Sequence, residues 1–137
     1  MAFLDEIAAY LQSEGVGTVG TTIFLSSSAM IPQDRTATPF LVIRKTGGTS
    51  ANRTHNSVTS PATVRPGAQI VAKAASYKLA ENLAQAAYNA LTKVRNQLLT
   101  STWYQEVSPL QEVFDMGLDD KNRAQATFNI IVTKRPS

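Results

Sequence analysis

The chain is divided by one long polar segment, Thr46-Gly-Gly-Thr-Ser-Ala-Asn-Arg-Thr-His-Asn-Ser-Val-Thr-Ser-Pro-Ala-Thr-Val-Arg-Pro-Gly67. Apolar runs that are typical of strands lie on both sides of it. Connections of this length are uncommon in compact domains, where they either lack fixed structure or carry functional contacts. We therefore expect a single α+β domain over residues 1–137, with an extended polar arm or loop at about 46–67.

The runs beside this arm predict the strands that enter and leave it. Residues 39–45 contain four consecutive apolar side chains, which indicates a strand that is buried on both faces. Residues 68–75 follow Pro66-Gly67 and predict the next strand. Upstream, residues 21–25 predict a short strand, and residues 26–32 predict a loop because serine and proline compete with strand pairing.

Two amphipathic helices are predicted outside the arm. Residues 2–13 carry apolar side chains at helical spacing, with Asp5 and Glu6 in the first turn and Gly15 as the C-terminal stop. Ser76 is a suitable N-cap for the second helix. The expected core-facing stripe of the second helix consists of Leu79, Leu83, Ala86, Ala87, Ala90, Leu91 and Val94.

The C-terminal third predicts a hairpin. Residues 103–107 indicate a strand that continues past Pro109 to Asp115, and residues 116–123 have the composition of a turn. Residues 124–134 then alternate apolar and polar side chains, as a half-buried strand does. The predicted order is α-β-β-(long loop)-β-α-β-β, a mixed or antiparallel sheet of about five strands packed with two helices.

Composition favours a folded protein that is made in the cytosol. An apolar share of 43% and a charged share of 17% are typical of globular domains. The absence of cysteine excludes disulfides and thiolate chemistry, no apolar run is long enough to span a membrane, and residues 1–6 lack the character of an export signal. Residues 47–96 hold six basic side chains against one acidic, which suits nucleic acid, an acidic partner or a solvated helix face.

No group of residues forms a catalytic or metal-binding constellation, so we expect no enzyme and no cofactor. His55 is the sole histidine and is best explained as a polar arm residue. Residues 119–122 resemble a cation-binding turn but lack the spacing of a calcium loop, so a hairpin turn is expected. Residues 15–20 match G-x-G-x-x-G, but they follow a helix and precede a strand, the reverse of a dinucleotide site.

Five stretches of the chain form a familiar series. They are Met1–Leu25, Thr46-Gly-Gly48, Arg65-Pro-Gly-Ala-Gln-Ile-Val71, Tyr77–Leu91 and Asp115-Met-Gly-Leu118. In this order they resemble small phage proteins often labelled minor capsid proteins, the tail terminators of long-tailed bacteriophages. The stretch from Asn52 to Val64 is longer than the usual link in that family, where a short Arg-Thr-His piece is typical.

The resemblance implies an α+β subunit of a ring, commonly a hexamer, that caps the tail tube and joins it to the head-side connector or stopper protein. It implies a lumen that passes genomic DNA without sequence readout, no cofactor and no membrane partner. The protein would then belong to the tail or neck of the virion after assembly in the host cytoplasm. The expected assembly or lumen contacts are Asn52, Arg53, Thr54, His55 and Arg65.

Two other functions stay open. A head-completion or stopper protein of the same neck would bind the portal or adaptor in place of the tube. A small nucleic-acid-binding module would use the basic middle region, with Trp103 and Tyr104 as base-stacking residues. Aromatic residues at strand spacing are, however, more typical of a core or an interface.

Overall fold

The computed structural model describes residues 2–34, 38–52 and 63–135. Its elements are α1 (Phe3–Ser13), β1 (Ile23–Leu25), β2 (Phe40–Asn52), β3 (Thr63–Ala74), α2 (Tyr77–Leu91), β4 (Arg95–Leu99), β5 (Thr102–Pro109), β6 (Phe114–Leu118) and β7 (Ala124–Lys134). The predicted α+β class with two helices is confirmed. The predicted strand count and order were wrong, because the described residues form seven strands where about five were expected.

The sheet is mixed and runs in the order β1-β2-β3-β7-β5-β4. The β1–β2 pair is parallel, and every other pair in the described sheet is antiparallel. The predicted hairpin partner of residues 124–134 is two strands, because β5 and β6 pair with successive parts of β7. The break between β5 and β6 follows Pro109. There the Gln111 side-chain oxygen accepts the Asn129 N–H at 3.0 Å, in place of a backbone carbonyl of a neighbouring strand.

The sequence prediction missed β4. Leu99 is the one fully buried side chain of this strand, and its other residues are exposed or half-buried. An edge strand with so little buried surface lacks the apolar alternation by which strands are recognised. Asn96 and Thr100 also have positive φ angles, 45° and 56°, which are typical of turns.

Both helices cover one face of the sheet, here called the inner face. It consists of alternate strand side chains that are fully buried, among them Leu41, Ile43, Ile70, Phe128 and Ile130. The expected alternation of buried and less buried residues along β7 is confirmed from Phe128 to Lys134, whereas Ala124 to Phe128 are all buried. These side chains and the helices form the main hydrophobic core.

The packing face of α2 agrees only in part with the stripe expected from the sequence, because Ala87, Ala90, Leu91 and Val94 are buried as expected but Ala86 is exposed. Ala80, Ala84, Ala87 and Leu91 are buried. Leu79 is 48% exposed, and Leu83 is only partly buried. The helix presents its alanines because a small side chain lets the helix backbone approach the sheet closely, which places Leu79 and Leu83 at the margin of the contact.

The local signals for helix ends are confirmed. The Ser76 hydroxyl accepts a hydrogen bond from the Leu79 N–H at 3.4 Å, as an N-cap does. Gly15 follows α1 with a φ of 78°, the left-handed conformation that stops a helix. The Tyr10 hydroxyl donates to the Ala90 carbonyl at 2.8 Å and joins α1 to α2.

Much of the segment predicted as a loop is strand. β2 continues to Asn52 and β3 begins at Thr63, and these two residues face each other in the ladder. The predicted strand ends at residues 45 and 68 were therefore wrong by several residues. Residues 53–62, the centre of the predicted arm, lie outside the described residues.

Candidate assembly surfaces

The Thr46-Gly-Gly48 and Arg65-Pro-Gly67 motifs, at the two ends of the predicted arm, pack against each other. Thr46 faces Gly67 in the β2–β3 ladder, and Thr49 faces Arg65, with a register shift between the two pairs. Gly48 has a φ of 63°, and a Cβ there would overlap the Arg65 carbonyl oxygen and lie 2.7 Å from the Gly67 nitrogen. The ladder therefore requires glycine at Gly48, where the two backbones approach too closely for a side chain.

Basic side chains lie on the β2–β3 hairpin near the contact between Gly48 and Gly67. Arg44 and Lys45 are exposed on β2, and Arg65 is half-buried on β3. Of the predicted contact residues, Asn52 ends β2 and Arg65 lies on the neighbouring strand, so the structure brings these two onto the same hairpin. Arg53, Thr54 and His55 lie outside the described residues.

A buried acidic residue was missed by the sequence analysis. Glu6 is fully buried beneath α1, and its Oε1 atom accepts a hydrogen bond from the Tyr104 hydroxyl at 2.9 Å. Its Oε2 atom has no hydrogen-bond partner among the described residues. The spacing of the sequence indicates that Glu6 is buried, because Glu6 lies three residues after Phe3 and four before Tyr10, on the same helix face.

The charge of Glu6 acts on two neighbours. Burial raises the pKa of Tyr104 well above its usual value, and the hydrogen bond and charge of Glu6 raise it further. Lys134 is the ladder partner of Tyr104 and is 5% exposed. Burial lowers the pKa of Lys134, and the charge of Lys45 lowers it further, while the opposite charge of Glu6 resists the change.

Glu6 also borders a cleft between α1 and β4. The cleft measures about 320 Å³, and its walls include Tyr10, Glu14 and Gln97. Burial raises the pKa of Tyr10 to about 12, helped by the charge and hydrogen bond of Glu14. Two carboxylates and no basic side chain border this cleft, so its charge favours a cationic group.

The opposite face of the sheet, here called the outer face, carries a second and smaller cluster. Phe24, Phe40 and Val42 are buried there, and Ile31 of the 26–34 loop packs against them. The rings of Phe24 and Phe40 meet edge to face at 5.7 Å. The Arg123 guanidinium lies 5.1 Å from the centre of the Phe40 ring and donates to the Pro32 carbonyl, which fixes the loop over the cluster.

Asp119 organises the charges of this outer cluster. Its carboxylate accepts from the Arg123 side chain at 2.8 Å and from Lys73 at 3.3 Å. It also accepts the backbone N–H groups of Lys121 and Arg123, both at 2.9 Å. These bonds form the hairpin turn predicted at residues 119–122, which is confirmed, and they occupy the carboxylate that a cation would need.

Trp103 and Tyr104 have different environments. Tyr104 belongs to the core, in agreement with the expectation for an aromatic residue at strand spacing. Trp103 is 38% exposed and faces Leu98, which is 60% exposed, across the β4–β5 ladder. Trp103 also borders a cleft of about 350 Å³ with Lys134 and Arg135.

Among the described residues, no group of three or more His, Cys, Asp or Glu side chains could hold a metal ion. In the same residues no helix is long and apolar enough to cross a membrane. The described residues therefore form a small α+β protein with exposed charged and apolar surfaces.

The chain belongs to the bacteriophage tail terminator family, since the family model described as bacteriophage tail terminator protein matches residues 10–135. A comparison with curated proteins finds no match. Membership of this structural, non-enzymatic family makes the protein a component of the virion tail that associates with other tail components.

Proposed function

We propose that the protein forms a hexameric ring that caps the tail tube and joins it to the head-side connector, leaving a channel for DNA. The observation that carries the proposal is the family match over residues 10–135, which covers the whole sheet, α2 and the last four residues of α1. Closed cyclic symmetry suits a cap, because each copy presents the same contact to the next and the ring ends tube growth.

The β2–β3 hairpin supports the channel. Arg44, Lys45, Arg65 and Lys73 give this hairpin four cations, of which Lys73 pairs with Asp119, and the described hairpin residues include no acidic side chain. Dispersed cations make weak, salt-dependent contacts with phosphate, which suits DNA that must slide through a lumen without sequence readout. The arm residues Asn52, Arg53, Thr54 and His55 are proposed to extend this surface towards the lumen or a neighbouring copy.

The ring is tested by native mass spectrometry and negative-stain imaging of the purified protein, alone and with tail-tube protein. We expect hexameric rings that cap tube ends. A strict monomer in the presence of tube would overturn the proposal. Binding to the connector without binding to the tube would instead indicate a stopper protein of the same neck.

A shortened arm sharpens this test. Asn52 and Thr63 face each other in the ladder, so residues 53–62 can be replaced by an Asn-Gly turn that suits a hairpin. We expect the variant to keep the circular dichroism spectrum and melting temperature of the parent but to lose ring assembly. Normal rings from the variant would show that the arm is dispensable.

A nucleic-acid-binding role is favoured by one observation. Trp103 is partly exposed beside the exposed side chain of Arg135, a combination that could stack a base and pair with a phosphate. The role predicts affinity for single-stranded DNA that falls steeply with salt and is lost in Trp103→Ala. An absence of DNA binding at low salt would exclude it.

A further inference from the structure

β6 is an edge strand with an unusual share of exposed apolar side chains. Phe114, Met116 and Leu118 are 39%, 41% and 65% exposed. One edge of β6 pairs with β7, and no other described strand pairs with its second edge. Edge strands are commonly protected by charges or proline, so an exposed apolar edge indicates a contact surface.

Two adjoining clefts lie along β1. They measure about 310 Å³ and about 210 Å³, and both are bordered by Val19, Ile23 and Leu25. Ala8 and Ala9 of α1 extend the wall of the larger cleft. Val19 is 48% exposed at their shared border. Together these clefts form an apolar groove, here called the β1 groove.

The β6 edge and the β1 groove lie at the two ends of one row across the sheet. In the register of the ladders Asp115 faces Ala126, Ala126 faces Ala72, Ala72 faces Leu41, and Leu41 faces Ile23. Four strand spacings of about 4.8 Å separate the ends by about 19 Å. One copy therefore cannot join its own two surfaces, but it can offer each of them to a different neighbour.

We propose that the β6 edge of one copy packs into the β1 groove of the next copy. The inference rests on the proposed ring and names its interface. A contact between two different surfaces is heterologous, and repetition of such a contact produces a closed ring when the rotation per copy divides the circle. Each copy then covers its exposed apolar strand with the apolar wall of its neighbour.

The absence of cysteine from the chain allows a direct test. A variant with Met116→Cys and Val19→Cys carries one thiol on each surface. A disulfide needs Cα atoms within about 7 Å, so the separation of the two surfaces prevents a bond within one copy. We expect mild oxidation to give a series of covalent multimers that ends at the closed ring on a non-reducing gel.

A matched variant controls for random collision. Leu98→Cys with Val19→Cys places the first thiol on β4, at a side chain that is 60% exposed and therefore at least as accessible as Met116. We expect this variant to form rings without cross-linked multimers. Equal cross-linking of both variants would overturn the inference.

Native mass spectrometry separates failure of the interface from failure of the proposed function. Rings without a disulfide between the Met116 and Val19 positions would overturn the interface and leave the ring intact. A monomer under all conditions would overturn the ring itself, and the interface with it.

A charge at Met116 gives a second readout. Met116→Glu should keep the melting temperature, because the side chain contributes little to the core, and should lose the ring. Loss of tube binding with rings unchanged would assign β6 to the tube and overturn the inference.

Discussion

The two faces of the sheet are stabilised by different forces. On the inner face, fully buried side chains such as Ile43 and Phe128 pack against the alanines of α2, with few charged partners. On the outer face, a small apolar cluster around Phe40 is closed by the ion pairs of Asp119 and Arg123. The inner face should therefore respond to changes of volume, and the outer face to changes of charge and pH.

The largest expected effect is on the inner face. Leu91→Ala removes a fully buried side chain and should lower the free energy of unfolding by about 2–5 kcal/mol, measured by urea denaturation. Leu83→Ala is the control, because this leucine is only partly buried, and it should cost clearly less. An equal loss from both variants would support the stripe expected from the sequence over the one in the structure.

The helix ends could be predicted from the sequence, but the rotation of α2 about its axis could not. The helix ends were predicted because Ser76 and Gly15 act through local backbone chemistry. The rotation of α2 was not, because it depends on how closely the helix approaches the sheet, and an alanine face gives little amphipathic signal. β4 was not predicted for a related reason: Leu99 is its one buried residue, so the strand shows no apolar alternation.

The candidate surfaces were predicted only in part. Arg65 was singled out as a basic arm residue, but its place on a hairpin depends on the fit of Gly48 against Gly67, which are far apart in the sequence. The burial of Glu6 depends on the distant Tyr104, and no local pattern identifies that partner. Contacts of this kind arise from tertiary structure and are visible only once the strands are in register.

The second prediction concerns the β2–β3 ladder, which both faces share. Gly48→Ala places a Cβ against the backbone of β3 at a positive φ, and we expect a loss of about 2–3 kcal/mol in the free energy of unfolding. Gly47→Ala is the matched control, since a Cβ there meets no atom within 4 Å. Equal stability of the two variants would show that the β2–β3 ladder can shift to accommodate a side chain at Gly48.

The third prediction separates charge from volume on the outer face. Asp119→Asn keeps the size of the side chain but removes the charge that Arg123 and Lys73 contact, and should cost about 1.5–3 kcal/mol. Asp120→Asn changes the exposed neighbour and should be nearly neutral. An equal loss of unfolding free energy in both variants would show that the effect comes from the change in net charge and not from the contacts of Asp119.

The smallest expected effect is the acid response of the same carboxyl group. Burial by itself would raise the pKa of Asp119, but hydrogen bonds from Arg123, Lys121 and Lys73 outweigh it and lower the pKa from 3.8 to about 2. Folding therefore favours the ionised form. Its stabilisation is complete above about pH 5 and is lost as the pH falls towards about 2.

We expect this carboxylate to contribute roughly 1–2 kcal/mol after allowance for screening by solvent. The parent and Asp119→Asn should differ in urea stability at about pH 6 and should converge as the pH falls below about 3, while Leu91→Ala should stay at a constant distance from the parent. A constant difference between the parent and Asp119→Asn would mean that the outer face is held by packing, as the inner face is, and that the contrast between the two faces does not hold.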